Sequence, residues 1–367
     1  ILPANRLDEI AITLGLSEYY RLEEIVAMCE KSGVHTKFIP DYNKIIPTKP
    51  YTEDKTALAI PVYRTQLTSE AVKKSSVEDV YALIVKDLTD AIPLLEGFER
   101  PSGAKDQINQ DVAKGMLAYV YLTMGDYKNA LERAQETYSH LQKVEVSSQL
   151  FYFVSPGKYN SDFCFSREHI WGISSMPDGF TALSDTMFRT NLITVRSDIS
   201  AVFPDANDTR FREWFTRQSN GSYTLQHKFG SSTLLSGYIY SSSGSESDLP
   251  ARIPVIKLGE VSLIAAEALN RDNKPDEAAE WLIEMQTSKR NSIVEQMKAN
   301  GKISVETIDA AIRDEYQREF WGEGQRFFFH KRMNDTRIVS YNGDSIDISS
   351  EQYTWPIPAG TISVNPE

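Results

Sequence analysis

Residues 313–332 read RDEYQREFWGEGQRFFFHKR. A charged, helical first half meets a Trp-Gly-Glu-Gly break, and aromatics flanked by basic residues follow. Glycine closes helices because it accepts the left-handed backbone that ends them. The stretch therefore predicts a helix that stops before Gly322 and feeds an aromatic wedge back into a helical core. Val305, Ile308, Ile312, Tyr316 and Phe320 repeat at helical spacing, so this helix is expected to start near Ser304, run to Phe320 and be the last of the chain.

A core of that kind needs further helices, and the chain supplies them in pairs. Asp111 to Met124 and Tyr127 to Leu141 flank a Gly125-Asp126 turn. Ala113, Ala118, Ala130 and Ala134 let the two approach closely, while Tyr121 and Tyr138 fill the flanks. AYVYLTMGDYKNALERAQE resembles a tetratricopeptide unit in its small-large-Gly-aromatic-Ala rhythm. A second pair is expected at Pro254 to Asn270 and Pro275 to Ser288, with Pro275 in its tolerated place at a helix start. Before the pairs, Ser76 is placed to cap a helix within SSVEDVYALIVKDLTDAIPLLEG. Val77, Val80, Tyr81, Ile84, Leu88 and Ile92 form its single apolar stripe, and Pro93 bends or ends it.

The rest is less regular. Residues 8–15 (DEIAITLG) and 34–41 (VHTKFIPD) read as strands around a helix from Ser17 to Lys31, a small βαβ fragment. Residues 145–253 lose helical periodicity, with HIWGISS and TLLSGYIYSSS as short strands or ordered loops. The expected fold class is mainly α: residues 1–50 as a βαβ-like fragment, and residues 51–367 as one helical domain with a loop-rich insert at 145–253. Long insertions of that sort carry binding more often than framework.

Composition narrows the function. The formal net charge of −12 disfavours non-specific contact with nucleic acid or anionic lipid. Two cysteines, Cys29 and Cys164, make no disulfide framework. No P-loop, G-x-S-x-G or G-x-G-x-x-G is present. The five histidines, His35, His140, His169, His227 and His330, lack metal-ligand spacing, so no metal or cofactor is expected. Asn342 to Asp347 (NGDSID) has calcium-like residue types without the full loop pattern.

Two sets of side chains remain. Arg313, Arg318, Glu319, Glu323 and Arg326 crowd the helix end. Carboxylates among arginines stay ionised, whereas a general acid needs a raised pKa. A structural ion-pair cluster is the expectation, and no enzymatic activity. The second set is aromatic: Phe211, Trp214, Phe215, Tyr223, Phe229, Tyr238 and Tyr240 lie in or near the irregular middle. Ring faces among Ser, Gly and Asn suit carbohydrate, stacking on CH-rich sugar faces while small polar groups bond hydroxyls. Trp214, Tyr223, Phe229, Tyr238 and Tyr240 are the candidate ligand-binding residues; packing beneath the loops is the competing reading for each.

Four stretches carry a family resemblance: SSVEDVYALIVKDLTDAIPLL, IPVIKLGEVSLIAAEALNRDN, IRDEYQREFWGEGQRFFFHKR and YTWPIPAGTISVNP. In this order they resemble the SusD/RagB family of outer-membrane nutrient-binding lipoproteins. Lys257 stands where that family usually has Arg, and Phe329-His330 replace a common acidic-Leu step. DANDTRFREWF is similar to another family segment, in which Arg210 and Phe211 would be structural. Residues 1–54 instead resemble a fragment of the nucleotide-fold domain of polyprenyl-phosphate sugar phosphotransferases, standing where the family's N-terminal helices would be. The SusD/RagB resemblance implies a lipid-anchored, cell-surface glycan- or nutrient-binding protein at the outer membrane. It also implies a SusC-like TonB-dependent transporter as partner. The alternative is a tetratricopeptide-type protein-interaction scaffold with no small ligand.

Overall fold

A computed structural model describes residues 9–14, 35–40, 54–62, 72–100, 104–144, 168–175, 199–225, 251–339 and 344–353. The chain divides into two compact units, residues 1–80 with 348–367, and residues 81–347.

In the first unit, β1 (Glu9–Leu14) and β2 (His35–Pro40) lie parallel, Glu9 opposite His35 and Leu14 opposite Pro40. Parallel neighbours require a crossover between them; the helix predicted there lies outside the described residues. β3 (Leu58–Pro61) and β4 (Lys74–Ser76) pair antiparallel. Asp54 Oδ1 accepts the Thr56 and Ala57 N–H groups at 3.1 Å and fixes the entry to β3.

α1 (Val77–Leu94) starts at the predicted cap: Ser76 Oγ accepts the Asp79 N–H at 3.1 Å. Its apolar stripe is not buried as expected. Val77 alone is fully buried, and Ile84 and Leu94 are exposed. Periodicity says which residues share a face, not whether a neighbour covers that face.

The second unit holds the predicted pairs. α2 (Gln110–Met124) is capped by Asn109, whose side chain accepts the Val112 N–H at 3.2 Å. It ends at Gly125 with φ 75°, a left-handed backbone that glycine adopts at little cost. α3 (Tyr127–Val144) returns against it, with Ala113, Ala118, Leu122, Ala130, Ala134 and Tyr138 buried.

Short elements follow: β5 (His169–Ser175), α4 (Ile199–Val202), α5 (Thr209–Trp214), β6 (Phe215–Arg217), β7 (Tyr223–Leu225) and β8 (Ala251–Lys257). β5 pairs antiparallel with β8, and β6 with β7. The helix expected from Pro254 therefore begins later, as α6 (Leu258–Arg271). Ile253, Val255 and Ile256 are β-branched, and β5 offers their backbone a ladder that a helix start could not.

Every residue of α6 from Leu258 to Asn270 is buried. One side packs on α2 and α3 through Val261, Ile264 and Ala265. Leu263, Ala266 and Leu269 join the core of α7 (Pro275–Ser288), α8 (Ile293–Ala299) and α9 (Val305–Glu319). A helix enclosed on all sides stands to lose most from unpaired polar groups, and two of its buried oxygens, Ser262 Oγ and Asn270 Oδ1, have no hydrogen-bond partner among the described residues while others are paired. Glu267 accepts from Arg332 Nη2 at 2.6 Å and Nε at 3.1 Å, and Asn270 Nδ2 donates to the Val305 carbonyl at 3.0 Å. The two pairs also meet directly: the Tyr138 ring stands edge-on to Trp281 of α7 at 4.8 Å, and its hydroxyl bonds Glu284.

α9 starts at Ser304 in a reciprocal capping box with Thr307. It is not the last helix. Gln325–Met333 forms α10 between two left-handed caps, Gly324 (φ 80°) and Asn334 (φ 51°). The aromatic run winds because one ring in three has a place inside: Phe329 is 1% exposed, 4.6 Å from the Tyr316 ring, while Phe328 is 52% exposed. β9 (Arg337–Val339) and β10 (Ser345–Asp347) close the unit antiparallel, and Asp347 of the calcium-like stretch bonds Arg337 at 3.0 Å. The fold is mainly α with few short strands. Among the described residues, no helix is long and apolar enough to cross a membrane.

Candidate aromatic binding site

The segment 199–225 has too little regular structure to hold itself in place. Side-chain bonds dock it on the junction of α7 and α8. Thr209 donates to the Lys289 carbonyl through its N–H at 2.8 Å and its hydroxyl at 2.9 Å. Asn291 Nδ2 donates to Asp208 Oδ2 at 2.8 Å, and the Ser292 N–H to Asp205 Oδ2 at 3.0 Å.

Beneath that junction lies a buried charge cluster. Arg210, fully enclosed, donates to Asp208 Oδ2 at 2.8 Å, Glu315 Oε1 at 2.5 Å and Glu319 Oε2 at 2.9 Å. Arg318 Nε meets Glu315 at 3.0 Å and its Nη1 reaches the Val202 carbonyl at 3.1 Å. Gln286 Nε2 takes the other Glu315 oxygen at 2.9 Å. Burial pushes the pKa of each acid up, but the cations win. Arg210 holds Asp208 below its ordinary value, Arg210 and Arg318 hold Glu315, and Lys289, Lys257 and Arg210 hold Glu319. These acids stay ionised, and none is poised to donate a proton. The sequence attributes the charge of Glu319 to the arginines of its own stretch, but Lys289, Lys257 and Arg210 hold it, while Arg313 pairs with Asp335. The close fit extends to α6: a Cβ at Gly259 would lie 2.8 Å from Glu319 Oε1, so only glycine admits that carboxylate beside the helix start.

Above the cluster sits an arc of rings. Ile199, Val202, Phe203, Trp214 and Phe215 are buried, and Phe211, Tyr223 and Trp321 are half-buried at their edge. Tyr223 lies 5.7 Å from Phe211, Phe211 lies 6.2 Å from Phe215, and Phe215 meets Trp321 edge-on at 5.3 Å and 89°. The surface is faceted rather than flat, with exposed Arg212, Arg217 and Asn220 beside it in sequence.

The predicted site residues divide. Trp214 is 4% exposed and belongs to the core beneath the arc. The i, i+4 spacing on α5 places it on the same inward face as Arg210. Tyr223 is half-buried at the edge of the arc. Phe229, Tyr238 and Tyr240 lie outside the described residues. Trp321 was missed. Its signal was the Trp-Gly-Glu-Gly break, read as part of a wedge into the helical core; the ring leaves that core and joins the arc.

Helix pairs carrying a docked, ring-bearing segment define a fold class, a helical-repeat frame with an irregular front. The comparisons narrow it. The SusD family model matches residues 215–367. A SusD superfamily protein from Bacteroides thetaiotaomicron VPI-5482 superposes with a TM-score of 0.63 at 20% identity, covering 87% of this chain and 72% of that one. A second, from Bacteroides vulgatus ATCC 8482, gives 0.60 at 19% identity over 87% and 71%. A SusD-like carbohydrate binding protein from Bacteroides vulgatus ATCC 8482 gives 0.59 at 17% identity over 88% and 73%. No curated protein matches the chain. By sequence over residues 215–367 and by fold over most of its length, the chain is SusD-like, as its motifs indicated. These matches do not bear on the transferase-like resemblance of residues 1–54.

Proposed function

We propose that this chain is a cell-surface glycan-binding protein that captures oligosaccharide and passes it to a SusC-like TonB-dependent transporter in the outer membrane, where a lipid anchor holds it. The observation that carries the reading is the continuous Tyr223–Phe211–Phe215–Trp321 arc, half-buried at its rim and supported by fully paired charges beneath. Rings held this way lose little freedom on stacking against a sugar. The likeness to a fold neighbour described as a carbohydrate binding protein supports the same class of ligand. Binding, not turnover, is the activity, because the acids under the arc are ion-paired. A net charge of −12 favours neutral over polyanionic glycans.

Calorimetric titration with maltoheptaose, cellohexaose and mannohexaose tests this. Saturable binding is expected with at least one, weakened about two- to twelvefold by Tyr223→Ala, as loss of one ring contact worth ~0.5–1.5 kcal/mol implies. Silence with all three, together with a protein partner retained by the helix pairs, would select the interaction scaffold instead. Co-purification with the transporter tests delivery separately.

A further inference from the structure

We propose that Lys257 and Glu323 form a charged clamp that sets the position of Trp321 and thereby the affinity of the ring arc for saccharide. The inference rests on the glycan-binding reading above and names positioning residues for that site.

Trp321 stands at the apex of a turn between α9 and α10. The Glu323 N–H donates to the Phe320 carbonyl at 3.0 Å, and Gly322, the third residue of the turn, has φ 77°. Gly324 follows with φ 80°, and a Cβ there would meet nothing within 4 Å. Glycine at 324 therefore serves backbone conformation, not packing. Two left-handed glycines within three residues leave the turn easily re-aimed unless something outside it fixes it.

Lys257, at the end of β8, supplies that point. Its ammonium is 2.6 Å from Glu323 Oε1 and 3.3 Å from the Glu319 carbonyl, and lies 5.0 Å from the centre of the Phe320 ring. One buried cation thus touches groups on both sides of Trp321, and binds the last turn of α9 where a positive charge is favoured. The β8 strand that carries it continues directly into α6, the most enclosed helix of the unit, so the clamp refers Trp321 to the rigid core.

The test uses the full chain labelled with 5-fluorotryptophan, the Trp321 fluorine resonance being identified by its loss in Trp321→Phe. In Lys257→Met and Glu323→Gln that resonance is expected to shift and broaden. Affinity for whichever of maltoheptaose, cellohexaose or mannohexaose the wild type binds should fall about tenfold and about threefold, respectively. A purely structural role would lower Tm yet leave resonance and affinity at wild-type values, and that result overturns the clamp. So does a shifted resonance with unchanged affinity. If Lys257→Met does not fold, Glu323→Gln decides alone, since Glu323 lies nearer the surface. The binding reading fails differently: saccharide affinity survives Trp321→Ala, whatever the fluorine spectrum of the clamp variants reports.

Discussion

The helix pairs and the docked segment 199–225 sit in one compact unit and are held by opposite means. At the α2–α3–α6 crossing, alanines, Leu122 and Val261 are buried among other apolar groups. That attraction is non-directional and tolerates small adjustments. The docked segment has a four-residue and a six-residue helix, too short to persist alone. Its placement comes from directional bonds, Arg210 to three carboxylates and Asp205, Asp208 and Thr209 to the α7–α8 junction. Apolar packing builds the frame, and charge pairing decides how the irregular front is aimed. The difference matters for binding because the rings ride on the part fixed by geometry rather than by area.

The sharpest way to break this contrast is Arg210→Met. It leaves Asp208, Glu315 and Glu319 buried without their shared cation, so a loss of ~3–5 kcal/mol is expected in denaturant unfolding. Affinity for saccharide should fall in whatever fraction remains folded. A loss below about 1 kcal/mol would mean the cluster does not hold the segment. Leu122→Ala should cost a comparable or smaller ~2–5 kcal/mol through a cavity in the frame. It should leave saccharide affinity of the folded protein at the wild-type value; a matching drop in affinity would erase the distinction between the two regions.

The third test concerns pH. Glu260 of α6 is pushed up to about 8 by burial, with Glu323 adding and Lys257 and Arg332 opposing. A carboxyl raised above its unfolded value contributes stability that is fully present below about pH 4.5 and lost as pH rises towards 8. Asp208, Glu315 and Glu319 are depressed, so their contribution is present at neutral pH and lost on acidification through their folded values. Glu260→Gln should therefore gain on wild type as pH climbs from 5 to 8, by up to ~1.4 kcal/mol per unit, and level off above. Melting curves of the two proteins at matched pH measure this; a constant difference across that range would place Glu260 in contact with water.

Much of the frame is readable without coordinates because its signals are local. The α2–α3 turn at Gly125, Pro275 at the start of α7 and Ser304 before α9 each act within a few residues of themselves. The misreadings share a cause. β8 is a strand only because β5 lies beside it, eighty residues earlier in the chain. The Phe327–Phe329 run winds into α10 because Tyr316 receives Phe329. The half-covered stripe of α1, buried only at Val77, depends on neighbours that periodicity does not reveal. At the candidate site, aromatic richness pointed to a segment whose rings pack together, with Tyr223 half-buried at their edge, but Trp214 and Trp321 exchanged the roles that sequence position suggested.

By itself, the sequence determined the helix pairs, their caps and turns and the family to which the motifs point, since each follows from residues close together or from pattern. Only the tertiary structure decided which rings face outward, which acids share Arg210 and what Lys257 holds. Those depend on groups brought together from positions scores of residues apart, and spacing along a chain carries no distance across a fold.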